Sequence, residues 1–166
     1  GDVNIGVKGE NFTAMFSRTE GGIASLCYNG KEFITRRPRV TYWRALTDND
    51  RGCALGFDSG YWQNAGQYQK VSDVQAEERE NSVTVTFKFA VPVSGEVESS
   101  VSYCAFADGT ITVHASYKGR KNLPDLPAFG MEWQFKEALH NFRYYGYGPE
   151  ENYVDRMEGA RLGIYK

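Results

Sequence analysis

Two kinds of chemistry are open to this chain: acid–base work by neighbouring carboxylates, and stacking of aromatic rings on a ligand. The carboxylates are Glu150 and Glu151, set in Tyr144-Tyr145-Gly146-Tyr147-Gly148-Pro149-Glu150-Glu151-Asn152-Tyr153-Val154-Asp155-Arg156. A retaining glycosidase needs two carboxyl groups about 5–5.5 Å apart, facing each other across the bond they break. Adjacent residues on an extended chain point opposite ways, so Glu150 and Glu151 make a poor acid and nucleophile pair. Salt bridges to Arg143 or Arg156 suit them better. The glycines and Pro149 around them allow and fix unusual backbone angles, so the stretch reads as a shaped loop bearing rings and carboxylates.

A second cluster, Asp48-Asn49-Asp50, has the oxygens to hold a cation or to bond sugar hydroxyls. The same residue types also close turns by bonding their own backbone, and that reading weighs more. Behind it, Gly52 to Trp62 sets three glycines, Gly52, Gly56 and Gly60, around Phe57, Tyr61 and Trp62. That composition suits a mobile flap presenting rings to a pocket, with Trp62 the best-placed ligand ring. Trp43 and Trp133 lie in strand-like runs and read as core. His114 and His140 have no clustered partners, so no metal site and no Ser-His-Asp or Cys-His arrangement is expected. Cys27, Cys53 and Cys104 are odd in number and far apart; they read as free thiols, which favours a reducing compartment such as the cytoplasm.

The elements that would position these groups are strands. Apolar residues recur with period two over Val3–Val7, Phe12–Phe16, Ile23–Tyr28, Val40–Trp43, Val83–Val91, Val97–Phe106 and Ile111–Tyr117. Asn29-Gly30 and Asp108-Gly109 are hairpin dipeptides, both central residues being suited to positive φ. Thr47–Gln69 and Lys118–Pro127 read as long irregular connections, Lys136–His140 as a turn, and no convincing helix is expected. The 166 residues, 41% hydrophobic and 14% aromatic, predict one all-β domain over 1–166, an antiparallel β-sandwich. A net charge of -2 with no basic stripe argues against nucleic acid. No apolar run reaches the roughly 20 residues of a membrane helix, and the start has no signal-peptide pattern. The alternating start and the apolar run Ala160–Lys166 suggest a piece cut from a longer domain, with uncovered edges and residues such as Leu162 and Ile164 driving self-association.

Three motifs carry a resemblance. Tyr145-Gly146-Tyr147-Gly148-Pro149-Glu150-Glu151-Asn152-Tyr153-Val154-Asp155-Arg156 resembles the Gly-x-Gly-Pro-x-Glu-Asn-Tyr-x-Asp-Arg signature of glycoside hydrolase family 2 β-galactosidases, in their C-terminal domain or separate small subunit. Trp43-Arg44-Ala45-Leu46-Thr47-Asp48-Asn49-Asp50-Arg51-Gly52 is similar to that domain's Trp-Arg-Ala-Pro-Thr-Asp-Asn-Asp-x-Gly. Leu126-Pro127-Ala128-Phe129-Gly130 is similar to its Leu-Pro-Arg-x-Gly. Leu46 departs from the usual proline and Ala128 from the usual arginine. The resemblance covers the first part of that domain. It implies a galactose-mutarotase-like supersandwich, catalytic glutamates on a separate barrel domain or chain, and retaining hydrolysis of terminal β-galactosides by the whole enzyme. It implies no catalytic residue and no cofactor in this chain. It also puts the loop after Asp50, with Gly52, Phe57, Tyr61 and Trp62, beside the active site, a plain connector being the equally weighted alternative. A second reading is a free-standing carbohydrate-binding module using Tyr61, Trp62 and the Tyr144–Tyr147 rings.

Overall fold

The computed structural model describes residues 3–95, 97–136, 139–150, 152–153 and 156–166. The chain divides into one unit ending at Phe135 and a second, Lys136–Lys166. In the first unit β1 (Asn4–Lys8), β2 (Phe12–Ser17), β3 (Gly22–Tyr28) and β4 (Lys31–Glu32) form an antiparallel sheet in chain order. A second antiparallel sheet holds β6 (Lys70–Arg79), β7 (Ser82–Ala90), β8 (Glu98–Phe106) and β9 (Ile111–Tyr117). Between the two runs of sequence, β5 (Ile34–Thr41) pairs with β10 (Gly130–Phe135).

The period-two pattern becomes the core. Phe12, Ala14 and Phe16 of β2 are buried while Thr13 and Met15 face out. Val85, Phe87 and Phe89 of β7 and Val101, Tyr103 and Ala105 of β8 repeat the alternation. The two sheets meet through these rings, with Phe16 6.5 Å from Phe87 and 5.6 Å from Tyr103. The Tyr28 hydroxyl donates to Gly109 O at 2.7 Å, closing one end. This is a β-sandwich, and each fully buried Phe or Val contributes about 1.5–3 kcal/mol.

The two hairpin dipeptides differ. Asn29 and Gly30 both take positive φ, 50° and 74°, as a tight two-residue turn requires. At the other turn only Gly109 does, at 89°. Its N–H bonds Phe106 O and the Phe106 N–H bonds Thr110 O, so β8 and β9 are joined by a three-residue loop closed by a left-handed glycine.

The segment Thr47–Gln69, expected to be irregular, folds into α1 (Asp48–Gly52), α2 (Leu55–Asp58), a 3-10 turn at Gly60–Trp62 and α3 (Ala65–Tyr68). Each piece is too short to display a helical period in the sequence. Strand β6 was also hidden: its mostly exposed residues blur the alternation on which strand reading depends. Among the described residues no helix is long and apolar enough to cross a membrane.

In the second unit β11 (Tyr144–Gly148) pairs antiparallel with β12 (Arg161–Tyr165). Tyr144 and Tyr165 are opposite one another, their rings 5.4 Å apart on one face. Tyr145 opposite Ile164 and Tyr147 opposite Leu162 share the other face, and all four are exposed. The Asn152 amide donates to Tyr147 O at 3.1 Å. Glu151, Val154 and Asp155, part of the loop motif, lie outside the described residues, as do Glu137 and Ala138 of the expected turn.

Candidate functional site

The helical excursion between β5 and β6 begins with a capping box. The Thr47 hydroxyl accepts the Asp50 N–H at 3.2 Å, and Asp50 Oδ2 accepts the Thr47 N–H at 2.8 Å. Arg44 reaches the same carboxylate with both terminal nitrogens, Nη2 at 3.0 Å from Oδ1 and Nη1 against Oδ2. Its Nε donates to Pro127 O at 3.1 Å. The Arg44 guanidinium, then the Thr47 N–H, hold the Asp50 carboxyl well below the usual carboxylate range. Asp50 is therefore committed to the fold. Asp48 is exposed and pairs with Arg51 at 2.8 Å, and Asn49 is exposed beside it. Of the three polar candidates, Asp50 is unavailable to a cation or a sugar because its oxygens are occupied.

Two further bonds tie the excursion to the irregular segment after β9. Ser59 Oγ donates to Asp125 O at 2.7 Å, and Trp62 Nε1 donates to Pro124 O at 3.1 Å. The Trp62 ring is 1% exposed and packs against Tyr42 (5.6 Å) and Tyr117 (5.8 Å). Phe129 joins them, 5.9 Å from Tyr42 and from Tyr117. Burial in this cluster pushes the Tyr42 hydroxyl up to about 12. Trp62 thus departs from its expected place as a ligand ring: its apolar area and its N–H are both spent on the core. Nothing in the sequence tied it to Pro124, 62 positions away.

What the excursion displays is Phe57, 88% exposed, and Tyr61, 63% exposed. The glycines beside them do not need their special backbone freedom. Gly52, Gly56 and Gly60 all avoid positive φ, and Gly52 and Gly60 have open space where a Cβ would stand. The residue that takes the left-handed conformation is Ala54, φ 59°, at the junction of α1 and α2. The structure therefore brings Gly52, Phe57 and Tyr61 together on one anchored protrusion and sends Trp62 inward. The capping pattern Thr47-x-x-Asp50 is a helix-start signal that the reading of these residues as a turn passed over, and the link to Pro127 through Arg44 has no local signal in the sequence.

Elsewhere the expected chemistry is sparse. Glu150 is exposed and makes no ion pair with Arg143 among the described residues. No group of three or more His, Cys, Asp or Glu could hold a metal ion among the described residues. Cys27, Cys53 and Cys104 are free thiols.

Residues 8–166 match the family described as beta galactosidase small chain. The chain is 47% identical over its whole length to a "Beta-galactosidase" of Clostridium acetobutylicum, and covers 18% of that protein. It is 44% identical over 99% of its length to a "Beta-galactosidase" of Lactobacillus delbrueckii subsp. bulgaricus, covering 16% of it. A "Beta-galactosidase small subunit" of Latilactobacillus sakei is 34% identical over the whole chain, which covers 58% of it. The chain thus spans less than a fifth of the first two relatives.

Proposed function

This chain belongs to the beta-galactosidase small-chain family, and we propose that it is a non-catalytic β-sandwich domain of a family 2 β-galactosidase. In this reading the whole enzyme hydrolyses terminal β-galactosides with retention, using glutamates on a barrel domain or chain outside these residues. The present domain supports that barrel and lends the Gly52–Tyr61 protrusion to the rim of the substrate site. The observation that carries the reading is the pairing of an anchored base with exposed rings. Arg44, Ser59 and Trp62 fix the excursion by bonds to Pro127, Asp125 and Pro124, while Phe57 and Tyr61 project outward. An aromatic face can cover the leaving-group side of a sugar without demanding one hydroxyl pattern. The burial of Trp62 removes the principal ring of a free-standing binding module, so the domain reading is the stronger of the two.

The exposed face of Tyr145, Tyr147, Leu162 and Ile164 is apolar enough to be covered in the complete enzyme, by the rest of the polypeptide or by another copy. Free thiols suit a cytoplasmic enzyme, and the chain is read as working without a cofactor of its own. The test is an assay of a chromogenic β-galactoside with purified chain alone and with the complete enzyme. Turnover only by the complete enzyme supports the reading; turnover by the chain alone, lost on Glu150→Gln, overturns it.

A further inference from the structure

Beside the anchored excursion, on the side where α3 lies over β5, is a groove of about 280 Å3 lined by Arg39, Trp43, Arg44, Gln63, Gln67 and Glu132. We propose that it is a subsite for one neutral pyranose, separate from the Phe57–Tyr61 protrusion.

Size, charge and the state of the polar groups all point to that ligand class. The volume is just below the usual range of drug-sized ligand pockets, enough for a monosaccharide and too little for an extended oligosaccharide. Two guanidinium groups line the groove, yet both are neutralised. Arg39 meets the Glu132 carboxylate across the β5–β10 pair, Nε at 3.2 Å and Nη2 at 3.1 Å. Arg44 is held by Asp50. A small anion would therefore find little net field, whereas a polyhydroxyl ligand finds donors and acceptors already oriented side by side. The Arg39–Glu132 pair offers N–H donors and a carboxylate acceptor at fixed spacing, as adjacent sugar hydroxyls require.

The remaining groups are uncommitted. The side-chain amides of Gln63 and Gln67 are exposed and hold no hydrogen bond among the described residues. Neither does the indole N–H of Trp43, whose side chain is half-buried against the core. An amide supplies two donors and an acceptor. An indole offers a flat apolar face to the C–H side of a pyranose. The Trp43 main chain is held by reciprocal bonds with Thr41: its backbone N–H donates to Thr41 Oγ1 at 3.3 Å and its carbonyl accepts that hydroxyl at 3.1 Å. Gly66 seats α3 directly on the backbone of β5, which holds Gln63 and Gln67 over the strand. Thus an indole, a paired guanidinium and carboxylate, and two exposed amides line one sugar-sized space.

The inference rests on the reading above for its source of sugars, since a β-galactosidase releases a monosaccharide at each turnover. It is tested on the complete enzyme with its catalytic site blocked covalently by a 2-deoxy-2-fluoro-galactoside, using saturation-transfer NMR with methyl β-D-galactoside and D-glucose as probes. Transfer with affinity on the order of millimolar is expected for so small a ligand, and at least fivefold weaker binding in the double variant Gln63→Ala, Gln67→Ala. Both side chains are exposed, so folding is retained and is checked by the melting curve. Equal binding by wild type and variant, or none by wild type, overturns the subsite. Hydrolysis by the unblocked enzyme is measured in parallel. An enzyme that hydrolyses galactosides but shows no variant-sensitive binding refutes the subsite alone, and one that does not hydrolyse them refutes the parent reading.

Discussion

Gly66 of α3 lies directly on the carbonyl of Val40 in β5: a Cβ at Gly66 would stand 2.1 Å from Val40 O and 3.2 Å from its carbonyl carbon. The neighbour is backbone, not a flexible side-chain end, so the helix would have to lift. Gly66→Ala should destabilise by about 1–3 kcal/mol. Gly52→Ala, at a site with nothing within 4 Å, should change stability by no more than about 0.5 kcal/mol. Denaturant unfolding of both variants checks the contrast.

Ala54 supplies the opposite case. With φ at 59° it carries the steric penalty of a side chain in the left-handed region. Ala54→Gly should stabilise the fold by up to about 1 kcal/mol, because relief of that penalty outweighs the extra entropy of glycine in the unfolded chain. An unchanged or lowered melting temperature would contradict this.

Glu32 should govern part of the acid response. Its burial alone would raise the carboxyl, but bonds from Ser25 Oγ, the N–H groups of Leu26 and Ile34 and the Cys27 thiol outweigh that and bring it down to about 2. The folded value lies below the ordinary 4.5, so the stabilisation is fully present above that pH and is lost as pH falls towards 2. Melting temperatures from pH 7 to pH 2 should fall less steeply for Glu32→Gln than for wild type. The variant should start lower at neutral pH and converge with wild type in acid.

The division between what could and could not be read from the chain has a physical basis. Strands such as β2, β7 and β8 announced themselves because one face is buried and the other wet, which writes period two into the residues. α1, α2 and α3 did not, since four or five residues hold barely one turn. Asp48-Asn49-Asp50 was legible as turn chemistry from its residue types alone. The fate of Trp62 was not, because its partners Tyr42, Tyr117 and Pro124 come from distant positions. Gly66 gave no signal for the same reason: its constraint is a strand more than twenty positions earlier.

Trp62→Ala should cost about 3–5 kcal/mol, the range for removing a fully buried aromatic ring, and it leaves Pro124 O without its donor. Trp62→Phe should cost less, restoring ring volume but not the hydrogen bond. Calorimetric unfolding of the two variants separates the packing from the bond.

The most direct measurement of the central claim is steady-state kinetics of Phe57→Ala in the complete enzyme, over β-galactosides with different leaving groups. Phe57 is 88% exposed, so its removal should leave the melting temperature unchanged. The account expects kcat and KM to shift together by several-fold, and by different factors for different leaving groups, as when a rim contact is lost. Wild-type kinetics on every substrate would contradict it and leave the protrusion without a part in the reaction.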